Sequence, residues 1–175
     1  RLVYEAHSTD YQSEASLTQL VEDHFAILKV GPWLTFAYRE AVFALSCIED
    51  ELLKTGSLTS PSQIKEILDQ VMTENPGYWK KYYPGSEAQQ AFKRKYSFSD
   101  RSRYYWPNTM IQQSINRLTS NLQVLEIPLS LLSQFLPAQF LEVTDGKTAN
   151  RPMDLIYSKI RNVIGIYSRA CGFGR

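Results

Sequence analysis

Five polar side chains crowd into six positions near the start of this sequence: Glu5, His7, Ser8, Thr9 and Asp10. They follow an apolar run that opens at Val3. About twenty residues later a second apolar run, Phe25-Ala26-Ile27-Leu28, is broken by Lys29, and Gly31-Pro32 follows. Carboxylates, an imidazole, hydroxyls and an ammonium are the groups that bind sugars and phosphates or move protons. Alternate side chains of a strand share a face, so Glu5 and His7 point the same way if the strand runs that far. Such groups are uncommon inside a protein unless paired or functional. For Ser8, Thr9 and Asp10 the plainer alternative is capping of the helix that follows. Gly31 lets backbone approach a ligand, and Pro32 suits a first helical turn. A helix N-terminus beside Lys29 is suited to phosphate. The structural alternative is an ion pair of Lys29 with Glu5 or Asp10 on the neighbouring strand.

Two short apolar runs with a helical pattern between and after them read as successive βα units of a parallel sheet. Chemistry just past the strand ends is where α/β folds bind ligands. Between the strands, Leu17, Leu20 and Val21 keep helical spacing, as in a βαβ crossover. His24 falls at the opposite strand end from His7 and reads as structural. From Pro32 a long helix follows, with Leu34, Ala37, Tyr38, Ala41, Val42, Leu45, Ile48 and Leu52 on its apolar stripe and Gly56 near its stop. No later strand is convincing. Ser60-Pro61-Ser62-Gln63 reads as a capping box, Asn75-Pro76-Gly77 as a break, Asn108 as a cap, and Pro128, Pro137 and Pro152 as marks of helix starts or kinks.

A second cluster lies in residues 78–106. It holds ten aromatic residues and seven cations against only Glu87 and Asp100. Interleaved rings and cations suit aromatic packing with stacked cations, a partner or ligand surface, or single-stranded nucleic acid. Asp100 could form an ion network with Arg101 and Arg103, and these two arginines are the ones best suited to grip phosphate bidentately.

Totals narrow the classes. The 175 residues carry a net charge of +1, which gives no global attraction to nucleic acid or membrane. No apolar run approaches the roughly 18 residues of a bilayer span. Cys47 and Cys171 lie in no CxxC or Cys/His metal pattern, and the chain fits a reducing cytoplasm. There is no GxGxxG, no Walker-type loop and no HExxH. With two histidines at opposite strand ends, the chain alone supplies no site of several imidazoles around one zinc. Lys29 is the one strand-borne candidate for a Schiff-base lysine.

The stretches Tyr4-Glu5-Ala6-His7-Ser8-Thr9-Asp10-Tyr11-Gln12 and Asp23-His24-Phe25-Ala26-Ile27-Leu28-Lys29-Val30-Gly31-Pro32 resemble the accessory subunit of tagatose-bisphosphate aldolase. This is the "Z" subunit of bacterial galactitol and N-acetylgalactosamine pathways, sometimes labelled a tagatose 6-phosphate kinase. The likeness continues through residues 39–45, 78–83, 96–101, 104–107, 127–129 and 133–137. Family members are more than twice as long, so the resemblance is to their carboxyl-terminal part. The opening at Arg1, on a strand edge, reads as a fragment or a processed polypeptide.

The fold class that follows is α/β. Residues 1–55 would form the last two βα units of a (β/α)8 TIM-type barrel, and residues 56–175 a mainly helical subdomain. The resemblance implies a non-catalytic, cytoplasmic subunit, part of an oligomer, that stabilises and activates a zinc-dependent D-tagatose 1,6-bisphosphate aldolase. The zinc would sit in the catalytic partner and no cofactor in this chain; no nucleic acid or membrane is expected. A retained sugar-phosphate site would draw on Glu5, His7, Ser8, Asp10, Lys29 and Gly31, with Arg101 and Arg103 as phosphate grips. The competing reading is a sugar-phosphate kinase or aldolase in its own right.

Overall fold

A computed structural model describes residues 2–56 and 60–173. The chain opens with β1 (Tyr4–Ala6), α1 (Glu14–Glu22) and β2 (Phe25–Leu28). The two strands pair in parallel, with Tyr4 opposite Phe25, Glu5 opposite Ile27 and Ala6 opposite Leu28. The crossover through α1 is what the spacing predicts. Neither Ser8, Thr9 nor Asp10 caps α1; Ser13 does, its Oγ accepting from the Ser16 amide at 3.1 Å. Among the described residues these two strands form the whole sheet. Leu2, Val3, Tyr4 and Ile27 stand exposed on it. Parallel strands in complete domains are covered on both faces; these two keep exposed apolar side chains.

The long helix α2 (Trp33–Lys54) has 22 residues, about 33 Å at 1.5 Å per residue. Its inner residues Ala41, Val42, Leu45 and Ile48 are fully buried. They share one core with α3 (Ile64–Glu74), α5 (Thr109–Val124), α6 (Leu129–Phe135) and α8 (Pro152–Ala170). The sequence marks most of these ends. Asn108 caps α5 through the Met110 amide at 2.9 Å. Ser86 and Gln89 form a reciprocal capping box at the start of α4 (Glu87–Tyr96). Pro137 and Pro152 occupy the first turns of α7 (Pro137–Thr144) and α8, where a missing N–H costs nothing.

The capping box expected at residues 60–63 is a correction. Gln63, with φ of 53°, precedes α3 in left-handed backbone and makes no side-chain cap. Ser62 is instead fully buried, its amide and hydroxyl both donating to the carboxylate of Glu49 in α2. Asn121 of α5 donates to the same carboxylate, and the Ser114 hydroxyl donates to the Ser62 carbonyl at 2.7 Å. A buried carboxylate with this many donors needs no cation, because the hydrogen bonds replace its lost water. The ion network expected around Asp100 is also corrected. Asp100 pairs with neither Arg101 nor Arg103 but with Arg39 of α2, at 2.8 Å, both side chains being inaccessible to solvent.

Candidate functional site

The parallel pairing brings the carboxyl ends of β1 and β2 side by side. Lys29 Nζ lies 2.6 Å from Glu5 Oε2, and His7 Nε2 lies 3.3 Å from the same oxygen. Of the two partners the sequence offers Lys29, Glu5 is the one taken. The three groups are open to solvent, with side chains 37% (Glu5), 47% (Lys29) and 68% (His7) exposed. The hydrogen bond from Lys29, reinforced by its charge, holds the Glu5 carboxyl below its usual value.

Asp10 does a different job from the one its place in sequence suggests. Its Oδ1 accepts from the amides of Gly31, at 2.8 Å, and Trp33, at 2.9 Å. The N-cap position of α2 is Pro32, which has no side chain able to cap. Asp10 supplies the missing acceptor from the neighbouring βα unit, and its charge suits the positive end of the helix. Gly31 is needed for this approach, since a Cβ there would come within 2.9 Å of Asp10 Oδ2. The helix N-terminus that the sequence offers to a phosphate is thus held by the protein's own carboxylate.

Thr9, buried, links this turn to the far end of the chain. Its hydroxyl donates to the Lys29 carbonyl at 3.0 Å and lies 2.9 Å from the Tyr167 hydroxyl, which donates to the Thr9 carbonyl at 3.0 Å. Ser8 and Tyr11 adopt left-handed backbone, φ 55° and 61°, so the turn is tightly folded. Ser8 itself is exposed. Tyr11 packs among Trp33, Phe36 and Phe98 and donates to the Phe98 carbonyl at 2.6 Å. Burial pushes its phenol well above the usual range.

The structure therefore brings together Glu5, His7 and Lys29, and separately Asp10 and Gly31, on one pair of strand ends. Arg101 and Arg103 make their contacts elsewhere, over the rings of Tyr82 and Tyr104. His24 precedes β2, at the opposite end of the sheet from His7. Among the described residues no three His, Cys, Asp or Glu side chains converge in a way that could hold a metal ion. Sequence reasoning places Thr9 in the polar cluster but misses its bracing role and misses Tyr167 altogether. A threonine in a polar turn carries no pattern that names a partner 158 positions away.

A parallel βαβ unit with ionisable groups at its strand ends, feeding a body of helices, defines a protein of the α/β class. The chain belongs to the D-tagatose-1,6-bisphosphate aldolase subunit GatZ/KbaZ-like family, whose model matches residues 1–172. It is 48% identical over 170 residues to the D-tagatose-1,6-bisphosphate aldolase subunit GatZ of Salmonella paratyphi B, and equally so to that of Salmonella newport. Each alignment covers 97% of this chain and 40% of the relative. A crystal structure described as a probable tagatose 6 phosphate kinase from Sinorhizobium meliloti 1021 superposes with a TM-score of 0.88 at 42% identity. That match covers 97% of this chain and 43% of the other. The chain thus spans about two fifths of the length of the proteins it matches.

Proposed function

We propose that the chain works within a non-catalytic subunit that stabilises and activates a zinc-dependent D-tagatose 1,6-bisphosphate aldolase. The setting is cytoplasmic galactitol and N-acetylgalactosamine catabolism. In this reading β1 and β2 are the last two strands of a (β/α)8 barrel, and their exposed apolar face meets the remaining strands. The zinc and the retro-aldol chemistry belong to the catalytic partner. The membership in a family of aldolase subunits supports the general role.

The strand ends keep a sugar-phosphate site in this proposal, and one observation carries it: Lys29 and His7 converge on Glu5 at the carboxyl ends of adjacent parallel strands. Lys29 and His7 are the donors suited to phosphate oxygens. Glu5, Ser8 and Asp10 offer hydrogen-bond partners to sugar hydroxyls, and the Gly31 amide, tied to Asp10, holds the mouth in shape. Arg101 and Arg103, which stack on Tyr82 and Tyr104, are the further phosphate grips of this reading. Titration of tagatose 6-phosphate into the full-length subunit is expected to give measurable heat, weakened about tenfold or more by Lys29→Ala, since a charge-assisted contact is worth roughly 1.5–3 kcal/mol. No heat at millimolar ligand removes the site.

A second reading, a sugar-phosphate kinase, draws support from the description of the Sinorhizobium structure. This chain carries no phosphate-cradling glycine loop. Phosphate transfer from ATP to tagatose 6-phosphate by the purified subunit alone would favour it. Activity seen only when the catalytic subunit is added favours the accessory role.

A further inference from the structure

Three large rings stand in solvent at one place outside the strand-end site: Tyr78, Tyr82 and Tyr104 are 57%, 45% and 41% exposed. Tyr78 and Tyr104 stack with centroids 5.0 Å apart and planes 21° from parallel. The Arg101 guanidinium carbon lies 3.5 Å from the centre of the Tyr82 ring and 5.8 Å from that of Tyr104. Arg103 lies 4.8 Å over Tyr104, and its Nη2 donates to the Tyr104 hydroxyl at 2.8 Å. A guanidinium stacked on a ring spends its flat face there and keeps its N–H edge for an oxyanion.

Both arginines hydrogen-bond the Tyr104 hydroxyl, but no described carboxylate neutralises the charge of either. Among the described residues neither Arg101 nor Arg103 forms an ion pair, and Arg101 Nε is buried without an acceptor. Asp100 is committed to Arg39 and Asp69 to Arg94, while Glu74 and Glu87 stand in the wall of the adjoining cleft rather than beside the arginines' rings. Lys81 adds a further cation over Tyr82 at 5.0 Å. The adjoining cleft of about 650 Å³ takes Pro76, Trp79 and Lys80 into its wall but not Tyr82, Arg101, Arg103 or Tyr104. The platform is therefore an open face rather than the concave pocket that small ligands require.

We infer that Tyr78, Tyr82, Arg101, Arg103 and Tyr104 form a docking surface for an acidic protein partner. Partner carboxylates meet the guanidinium edges, and apolar side chains cover the tyrosine rings. Tyrosine and arginine are the residues that carry most binding energy at protein interfaces. Stacking fixes the forks in advance, so little freedom is lost on association. The cations Lys81, Arg101 and Arg103 gathered over the rings set the sign of the partner. Stacked bases could use the same rings and cations, but a net charge of +1 gives no wider basic field to hold a nucleic-acid backbone. The inference rests on the proposed role as one subunit of an aldolase complex, and takes the catalytic subunit as the partner.

The test is the affinity of the full-length subunit for the purified catalytic subunit. Arg101→Glu with Arg103→Glu is expected to weaken binding roughly ten- to a hundredfold. Arg101→Lys with Arg103→Lys, which keeps the charge but loses the fork, should fall between. Wild-type affinity should drop as salt rises from about 0.05 to about 0.5 M. An unchanged melting temperature shows that the variants fold. Equal binding by wild type and the double glutamate variant overturns the docking surface and leaves the subunit role standing. Wild-type protein that does not associate at all overturns both. Binding of a poly-uridylate strand that the glutamates abolish reassigns the surface to nucleic acid. Self-association that they abolish reassigns it to a second copy of this chain.

Discussion

Lys29 directly follows the apolar strand β2, and its ammonium reaches back to Glu5, whose register partner is Ile27. Parallel pairing sets the two strand ends side by side and so lets them meet. Their exposure makes the pair weak as a stabilising contact and available as a binding one. Because Lys29 lowers the Glu5 carboxyl in the folded state, the pair contributes stability above the usual carboxylate range. That contribution is lost as pH falls through the depressed folded value. Side-chain NMR should therefore find Glu5 titrating below an ordinary glutamate, and Lys29→Ala should return it toward the ordinary value. A Glu5 resonance that ignores the substitution would mean the pair does not persist in solution. The partnership of Asp10 with Gly31 and Trp33 was hidden from sequence reasoning for a definite reason. Capping residues are sought just ahead of their own helix, and this one reaches across from the preceding βα unit, 21 and 23 positions away.

At the scale of elements, periodicity shows which face of a helix turns inward, but not what fills the space opposite. The apolar stripe of α2 predicts its buried side well, and the prolines and Asn108 mark the later helices. Glu49 stands in sequence beside two more acids, Asp50 and Glu51, toward the far end of that helix. It is fully buried and holds the segment ahead of α3 through Ser62 and Asn121. That segment was read as a capping box because serine, proline and glutamine stand at the expected spacing. The Glu49 acceptors compete for Ser62 and win, because a buried carboxylate cannot be left without donors. Glu49→Ala should cost about 2–4 kcal/mol in chemical denaturation, by stranding the Ser62 amide and Asn121. Loss below about 0.5 kcal/mol would show that water replaces the carboxylate.

Across the whole molecule, the strand-end turn and the helical body are joined through residues distant in sequence. Arg39 of α2 lies 4.4 Å over the Phe36 ring, donates to the Ser97 carbonyl and meets Asp100 61 positions later. Asp100 is in left-handed backbone, φ 42°, and accepts also from the Ser102 hydroxyl at 2.6 Å. Removing one charge of such a pair strands the other in a medium that cannot solvate it. Arg39→Met should therefore cost about 3–5 kcal/mol. Adding Asp100→Asn, which tolerates the same backbone, should recover part of that loss in urea unfolding. A double variant as unstable as the sum of both singles would show that the charges act independently.

The Thr9–Tyr167 contact has a consequence for how the protein is made. The turn beyond β1 leaves the ribosome more than 150 residues ahead of the phenol that braces it. At translation rates of about 5–20 residues per second, that turn waits on the order of ten seconds or more before its brace exists. A ribosome stalled before α8 emerges should carry a nascent chain whose turn between β1 and α1 remains open to proteases and chaperones. Release of the same chain after α8 has emerged should close it.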